Sequence, residues 1–136
     1  MGVIEDWLEC YNARDWDRLA GFFSPTDFLR VGPFADTISS STEYVAFLRR
    51  VIPTLGSQYG LTAERVVYAG RTVTAELVEH YELHGELRHT PEAIVFDLDG
   101  DGRITSVHVY VQRVGEVAAA GGRAAMGDVA KGNDGA

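Results

Sequence analysis

The stretch VTAELVEHYELHGELRHTPEAIVF, residues 73–96, decides the fold, because it predicts a long β-hairpin. Apolar and polar side chains alternate along both arms, which is typical of strands that have two different faces. A two-residue turn at Gly85-Glu86 would place Glu79 directly opposite Glu92. Two like charges directly opposite each other destabilise a strand pair. The hairpin therefore predicts a compensating feature at this pair, such as a proton shared in a pocket.

Alternation sorts the side chains of the hairpin into two faces. The first face is mostly apolar but carries two acids and a phenol: Leu77, Glu79, Tyr81, Leu83, Thr90, Glu92, Ile94 and Phe96. The second face mixes histidines, acids and small apolar groups, with Glu82 opposite His89. Since alternate side chains of a strand share a face, we expect the first face to line a cavity. We expect the second to be a surface or a subunit interface.

Glu79 and Glu92 are candidate acid–base residues. An apolar wall raises the pKa of a glutamate by desolvation, and a second carboxylate raises the pKa of one member further. One proton shared near neutral pH would supply an acid and a base side by side. The alternative is that one or both carboxylates face water. A bulge at Pro91 would turn Glu92 to the other face and bring His89 or Pro91 near Glu79.

Helices are predicted before the hairpin. Helical spacing of apolar residues predicts a helix over residues 4–23, with a kink or a break into two helices at 12–15. A short strand follows at 28–34. Ser40 and Glu43 then form a capping-box pattern, which favours the start of another helix.

Strands dominate the chain after residue 61. The apolar period changes to two, which predicts strands at 63–69 and 104–113 on either side of the hairpin. Helices followed by antiparallel strands favour an α+β domain, with the helices packed on one face of the sheet. We place this domain at residues 1–114 and expect residues 115–136, rich in Gly and Ala, to be a flexible tail. A short helix over 117–126 is the alternative for the tail.

Composition narrows the classes of partner and location. The 136 residues carry a formal net charge of −8, which disfavours nucleic acid and anionic membrane surfaces as partners. We expect no membrane association, because no apolar run is long enough to span a bilayer, and no secretory signal, because the N-terminus lacks a basic region. One cysteine, Cys10, cannot form an internal disulfide, so we expect a reducing cytoplasm and a core role for Cys10.

Two patterns suggest metal sites but have simpler interpretations. Residues 97–104, DLDGDGRI, match the start of a calcium-binding EF-hand loop, but the twelfth position is His108 instead of Glu. A hairpin turn built from Asp and Gly explains the same residues. His80, His84 and His89 could cluster with Glu82, or could simply be surface or interface residues. Phosphate-binding loops and dinucleotide fingerprints are lacking, so we expect no cofactor.

The chain resembles the nuclear transport factor 2-like superfamily in its order of elements and in three motifs. That order is a helix, a short strand with Gly-Pro-Phe, a capped helix and long hairpins. The motifs are residues 12–17 (NARDWD), 31–34 (VGPF) and 99–104 (DGDGRI). The superfamily includes ketosteroid isomerases, SnoaL-like polyketide cyclases, limonene epoxide hydrolase-type enzymes and scytalone dehydratase. The resemblance covers residues 4–113 and implies a cone-shaped domain that encloses an apolar pocket, without a cofactor.

A residue-by-residue comparison with the ketosteroid isomerase pattern shows where this chain departs from that pattern. The position of the isomerase base falls on Gly32, that of the oxyanion tyrosine near Trp7, and that of the oxyanion aspartate on Ile94. Ketosteroid isomerase chemistry therefore lacks its base here. The same alignment implies that the cavity is lined by Leu77, Glu79, Tyr81, Thr90, Glu92, Val107, Val109 and Val111. SnoaL-like cyclases place an acid–base pair on the corresponding strands, which makes Glu79 and Glu92 plausible substitutes.

Together these features predict a cofactor-independent acid–base enzyme for a small hydrophobic substrate, such as a polyketide or terpenoid. Cyclisation, isomerisation, dehydration and epoxide opening are all within reach. Glu79 and Glu92 would share the acid and base roles, and Tyr81 would donate to a developing oxyanion. Trp7 and Tyr11 would pack the substrate, with Ile94 also on the pocket wall. We further expect a homodimer through the outer sheet face. A ligand-binding module without chemistry and a structural dimerisation domain are the alternatives.

Overall fold

The structure is a computed structural model, and it describes residues 2–112. The helices and strands follow in this order: α1 Val3–Asn12, α2 Trp16–Ala20, β1 Leu29–Val31, β2 Thr37–Ile38, α3 Ser41–Val51, a 3₁₀ helix Ile52–Leu55, β3 Gly60–Ala69, β4 Thr72–Leu83, β5 Glu86–Leu98 and β6 Ile104–Val111. The predicted tail at 115–136 lies outside the described residues.

The strands form one six-stranded sheet in the order β2-β1-β6-β5-β4-β3. Neighbouring strands are antiparallel except for β1 and β6, which run parallel. Register shifts between Ala63 and Arg65 in β3 and between Asp97 and Leu98 in β5 interrupt the ladders, and such irregularities increase local bending and twist. The predicted α+β class with a curved, mostly antiparallel sheet is confirmed.

The hairpin turn is His84-Gly85, and the predicted turn at Gly85-Glu86 is wrong. Leu83 pairs with Glu86, and both turn residues have positive φ, 52° for His84 and 80° for Gly85. Such a pair of left-handed residues is typical of a type I′ turn, whose twist matches that of the strands. Histidine tolerates this conformation better than most side chains. The predicted turn at Gly85-Glu86 corresponds to type II′, which has glycine at its first central position.

The corrected turn shifts the register of β4 against β5 by two residues. Glu79 pairs with Thr90 and Glu92 pairs with Leu77, so the two glutamates are diagonal neighbours and do not lie directly opposite each other. Glu82 likewise pairs with Leu87 and not with His89. Because side chains alternate with a period of two, this shift leaves every side chain on its predicted face.

Pro91 fits into β5 without a bulge. It pairs with Val78 in regular register, and its carbonyl accepts a hydrogen bond from the Gln112 N–H at 3.1 Å. The nitrogen of a strand residue points to the same side as its carbonyl, so the missing N–H of Pro91 faces the point where the β5–β6 ladder ends. Glu92 therefore keeps its place on the inner face.

Helix boundaries follow local capping groups. Arg14, at φ 60°, separates α1 from α2, which resolves the predicted break at 12–15 into two helices. The Asp15 side chain accepts from the Arg18 N–H at the start of α2. The Ser40 hydroxyl accepts from the Glu43 N–H at 3.3 Å at the start of α3, which is the serine half of the predicted capping box.

The core lies between α1 and the concave face of the sheet. Trp7 is fully buried, and its ring meets Phe96 of β5 edge-on with centroids 5.1 Å apart. Cys10 is also buried in this core, as predicted. Among residues 2–112, the helices are too short or too polar to cross a membrane.

Candidate active site

A cavity opens between the helices and the inner face of β4, β5 and β6. Its volume is about 90 Å³. Eight predicted residues line it: Trp7, Tyr11, Glu79, Tyr81, Glu92, Ile94, Val109 and Val111. Leu77, Thr90 and Val107 were also predicted to line the cavity. They are buried, but they pack within the protein and are not part of its wall.

Glu79 and Glu92 lie together in this cavity, and their pKa values differ. Burial raises the pKa of Glu92 well above its usual 4.5, and the nearby charge of Glu79 raises it further. Burial also raises the pKa of Glu79, but a hydrogen bond from Tyr59 opposes this rise at Glu79 alone. The positive charge of Arg30 opposes the rise in pKa at both glutamates. These effects favour Glu79 as the carboxylate and Glu92 as the protonated carboxylic acid.

Two tyrosines form a hydrogen-bonded chain that ends at Glu79. The Tyr59 hydroxyl donates to Glu79 Oε2 at 2.6 Å, and the Tyr11 and Tyr59 hydroxyls are 2.8 Å apart. A tyrosine has one hydroxyl proton, so Tyr11 must donate to Tyr59 when Tyr59 donates to Glu79. Burial raises the pKa of both phenols well above 10, which keeps them neutral donors.

The last residue of α1, Asn12, and the loop that follows it hold Tyr59 in place. The Asn12 amide bridges the backbone of Leu61, donating to its carbonyl at 2.9 Å and accepting from its N–H at 2.8 Å. The Arg14 guanidinium donates to the Tyr59 carbonyl and lies 5.4 Å from the centre of the Tyr59 ring. The NARDWD motif therefore positions a cavity residue 45 positions further along the chain.

Sequence reasoning missed Tyr59 because the predicted strand began at residue 63, whereas β3 begins at Gly60. Leu61 lines the cavity. Since alternate side chains of a strand share a face, extending the strand by two residues before Leu61 would have put Tyr59 on the inner face as well.

Arg30 is a second residue that was not predicted. It is 6% exposed, lines the cavity and forms an ion pair with Asp36, with Nη1 and Oδ2 2.8 Å apart. Its guanidinium also lies over the rings of Tyr44 and Phe47, at 5.7 and 5.1 Å from their centres. Alternation along residues 28–34 puts Arg30 on the same face as buried Phe28, which was the available signal.

Gly32 provides the space for this ion pair. A Cβ atom at Gly32 would lie 2.3 Å from Asp36 Oδ1 and 2.7 Å from Arg30 Nη1. The position onto which the isomerase base falls is therefore bare, and a buried salt bridge occupies the volume that a side chain would take.

Tyr81 lies on the cavity wall, and its hydroxyl is 2.7 Å from the Thr90 Oγ1. Trp7 also lines the cavity, and its indole N–H has no hydrogen-bond acceptor among the described residues. The predicted roles of Tyr81 in catalysis and of Trp7 in substrate packing stay predictions.

The patterns considered as metal sites have other roles in residues 2–112. Asp99 Oδ1 accepts from the N–H groups of Asp101 and Arg103 and so closes the hairpin turn. On the outer face His80 and His89 are paired, with their Nδ1 atoms 2.6 Å apart. Within this range there is no group of three or more His, Cys, Asp or Glu side chains that could hold a metal ion.

Comparison with known proteins places this architecture in a family. Scytalone dehydratase arp1 of Aspergillus fumigatus is 25% identical over 117 residues, which are 79% of this chain and 68% of the fungal protein. An NTF2-like protein from Burkholderia pseudomallei, 16% identical, has a TM-score of 0.74 over 85% of this chain and 92% of its own. An LEH-like epoxide hydrolase from M. tuberculosis, 21% identical, has a TM-score of 0.69 over 80% of this chain and 79% of its own.

The family model described as the SnoaL-like domain matches residues 4–107. This match covers both helices of the N-terminal segment, the cavity-forming α3 and most of the sheet. The expected resemblance is thus confirmed, and the chain belongs to the SnoaL-like domain family, with the fold of NTF2-like proteins.

Proposed function

We propose that this protein is a cofactor-independent acid–base enzyme that acts on a small hydrophobic substrate. The observation that carries the proposal is the asymmetry of the glutamate pair, because Tyr59 donates to Glu79 and burial favours a proton on Glu92. Glu79 would accept a proton from the substrate, and Glu92 would return one to another atom.

The largely apolar cavity wall supports a hydrophobic substrate, such as a polyketide or terpenoid of secondary metabolism. Such a proton exchange can serve cyclisation, isomerisation, dehydration or epoxide opening. The scytalone dehydratase and epoxide hydrolase relatives are consistent with this class of reaction. Tyr81 remains a candidate donor to a developing oxyanion, as the sequence predicts.

Turnover by glutamate variants tests the proposal. A panel of one β-diketone, one epoxide and one β-hydroxyketone is assayed with the wild-type protein, Glu79→Gln and Glu92→Gln. We expect turnover of the accepted compound to fall at least about a hundredfold in each variant, while its binding is largely kept. Glu76→Gln is the matched control, since Glu76 is an exposed glutamate on the same strand.

Unchanged turnover in both variants would refute the assignment. A compound that binds in the cavity and is never turned over by the wild-type protein would favour the non-catalytic ligand-binding module instead.

A homodimer through the outer sheet face is the partner arrangement we propose. Three large apolar side chains on this face are exposed: Val67 by 50%, Leu87 by 42% and Tyr110 by 58%. Sedimentation of the wild-type protein and of Tyr110→Glu tests the interface, and a wild-type monomer at micromolar concentration would refute it. The single cysteine supports a cytoplasmic location, which we also propose.

A further inference from the structure

Arg30 is a buried cation whose donors are mostly unused. A guanidinium carries five N–H donors. Within residues 2–112 the only hydrogen bond of this side chain joins Nη1 to Asp36, and Nε is buried without a partner. Leaving buried polar groups without partners costs free energy. The spare donors of Arg30, in a side chain that lines the cavity, therefore indicate a missing acceptor.

The guanidinium is held in one orientation. Asp36 fixes one edge through Nη1, and the rings of Tyr44 and Phe47 lie against its plane. The bare backbone of Gly32 lets this arrangement form. Among the described residues Arg30 makes no salt bridge with Glu79 or Glu92, so its remaining donors are not taken up by the acid–base pair.

The cavity wall therefore carries two chemically different groups. Arg30 supplies positive charge and hydrogen-bond donors, whereas Glu79 and Glu92 exchange protons. A substrate that suits both groups has an oxygen that gains negative charge next to a carbon that loses a proton. Carbonyl compounds with an acidic α-hydrogen have this chemistry, whereas an epoxide does not lose a carbon-bound proton when water opens it.

We propose that Arg30 binds the carbonyl oxygen of the substrate and stabilises the enolate that forms when the α-carbon is deprotonated. The proposal rests on the proposed function, in which Glu79 is the base. The proton passes from the α-carbon to the Glu79 carboxylate, and the C–H electron pair becomes the carbon–carbon double bond. The carbonyl π pair moves to the oxygen beside Arg30. Glu92 then gives its proton to a carbon of the enolate, which restores the carbonyl group, and the proton held by Glu79 passes to the Glu92 carboxylate and resets the pair.

Binding of 4-nitrophenol measures the preference of the cavity for an oxyanion. Its phenolate oxygen stands for the enolate oxygen, and its absorbance reports the ionised form. 4-Nitrotoluene is a neutral probe of similar shape, which shows whether the cavity is intact. Because both probes are bound and not converted, the result is independent of the turnover of the glutamate variants.

The decisive variant is Arg30→Met/Asp36→Asn, which removes the cation without leaving a buried carboxylate unpaired. We expect its affinity for the phenolate to fall roughly tenfold or more, since hydrogen bonds to a charged group are the strong ones. The pKa of the bound phenol should rise, and the affinity for 4-nitrotoluene should hardly change. Arg65→Met is the control, because Arg65 is an exposed arginine that does not line the cavity.

Three results would overturn the proposal. The double variant could bind both probes as the wild-type protein does. The wild-type protein could bind 4-nitrotoluene but no phenolate. Tyr81→Phe could lose the phenolate preference while the Arg30 variant keeps it, which would assign the oxyanion to Tyr81.

Discussion

The Tyr59 hydroxyl lies 2.6 Å from Glu79 Oε2, and this contact makes two otherwise similar glutamates unequal. Both carboxyl groups lie on the same apolar wall and burial raises the pKa of each. A hydroxyl that donates to one of them stabilises the charged form of that one alone. The division into a base and an acid therefore depends on Tyr59, which directly precedes β3.

Removing this hydroxyl should lower the ionised fraction of Glu79 at mildly acidic pH. In Tyr59→Phe the pKa of Glu79 should rise, because a hydrogen bond that lowers it is lost. The acid limb of the pH–rate profile should move to higher pH, and turnover at mildly acidic pH should fall roughly tenfold. Carbon NMR titration of the glutamate carboxyl groups would measure the shift directly.

Tyr110→Phe is the control for this experiment, since Tyr110 is an exposed phenol on the outer face. An unchanged Glu79 titration in Tyr59→Phe would show that the hydroxyl does not set the pKa.

Glu92 should make the folded state less stable as the pH rises. Below the usual pKa of 4.5 the carboxyl is protonated in both states, and its contribution to stability is complete. Above that pH the unfolded chain releases a proton that the folded chain keeps, so stability is lost until the pH passes the raised pKa of the folded state. Glu92→Gln stays neutral throughout and should gain stability relative to the wild-type protein as the pH rises above 4.5.

Urea unfolding at a series of pH values measures this difference. If the free energies of unfolding of the two proteins change in parallel with pH, the prediction is wrong.

Gly32→Ala should destabilise the protein by about 1–3 kcal/mol, because the new methyl group overlaps the Arg30–Asp36 pair. In an Asp36→Ala background, which itself costs stability because Arg30 loses its partner, the additional cost of Gly32→Ala should be smaller, since the closer of the two clashes is absent. Gly100→Ala is the matched control, because the nearest atom to a Cβ there is 3.5 Å away. Thermal unfolding gives the comparison, and equal effects at the two glycines would contradict the assigned role of Gly32.

Asn12→Ala should act on the site from a distance. It leaves the Leu61 N–H and carbonyl without their side-chain partners, which costs about 1–3 kcal/mol. Because Tyr59 lies two residues before Leu61, its hydroxyl should lose its fixed distance to Glu79, and the Glu79 pKa should rise as in Tyr59→Phe. Asn12→Asp keeps only the hydrogen-bond acceptor. Its stability and its Glu79 pKa should lie between those of the wild-type protein and those of Asn12→Ala. A destabilised variant with an unchanged Glu79 titration would show that Asn12 has a structural role only.

The sequence was sufficient to place Glu79, Tyr81 and Glu92 on one face, because strand alternation depends only on parity. It was not sufficient for the register, because the residues fit both a type I′ turn at His84-Gly85 and a type II′ turn at Gly85-Glu86. The structure has the first of these, with positive φ at His84 and Gly85.

Arg30 and Tyr59 escaped prediction for a different reason. Each acquires its role from partners that are distant in sequence or that lie across a loop, such as Glu79 for Tyr59 and Asp36 for Arg30. An arginine in a short strand that ends at proline is typical of an exposed edge. Only the packing of α3 over β1, with Tyr44 and Phe47 against the guanidinium, makes it a buried residue.

The site tolerates shifts in the register of β4 against β5 by an even number of residues. A shift of one strand by two residues changes the cross-strand neighbour of Glu79 but keeps both carboxyl groups on the inner face. A shift by one residue would turn His89 and Pro91 to the inner face and expose Glu92 to solvent. The type I′ turn therefore fixes which side chains face the cavity. Changes to the loop that shift the register by an even number of residues keep both glutamates on the inner face.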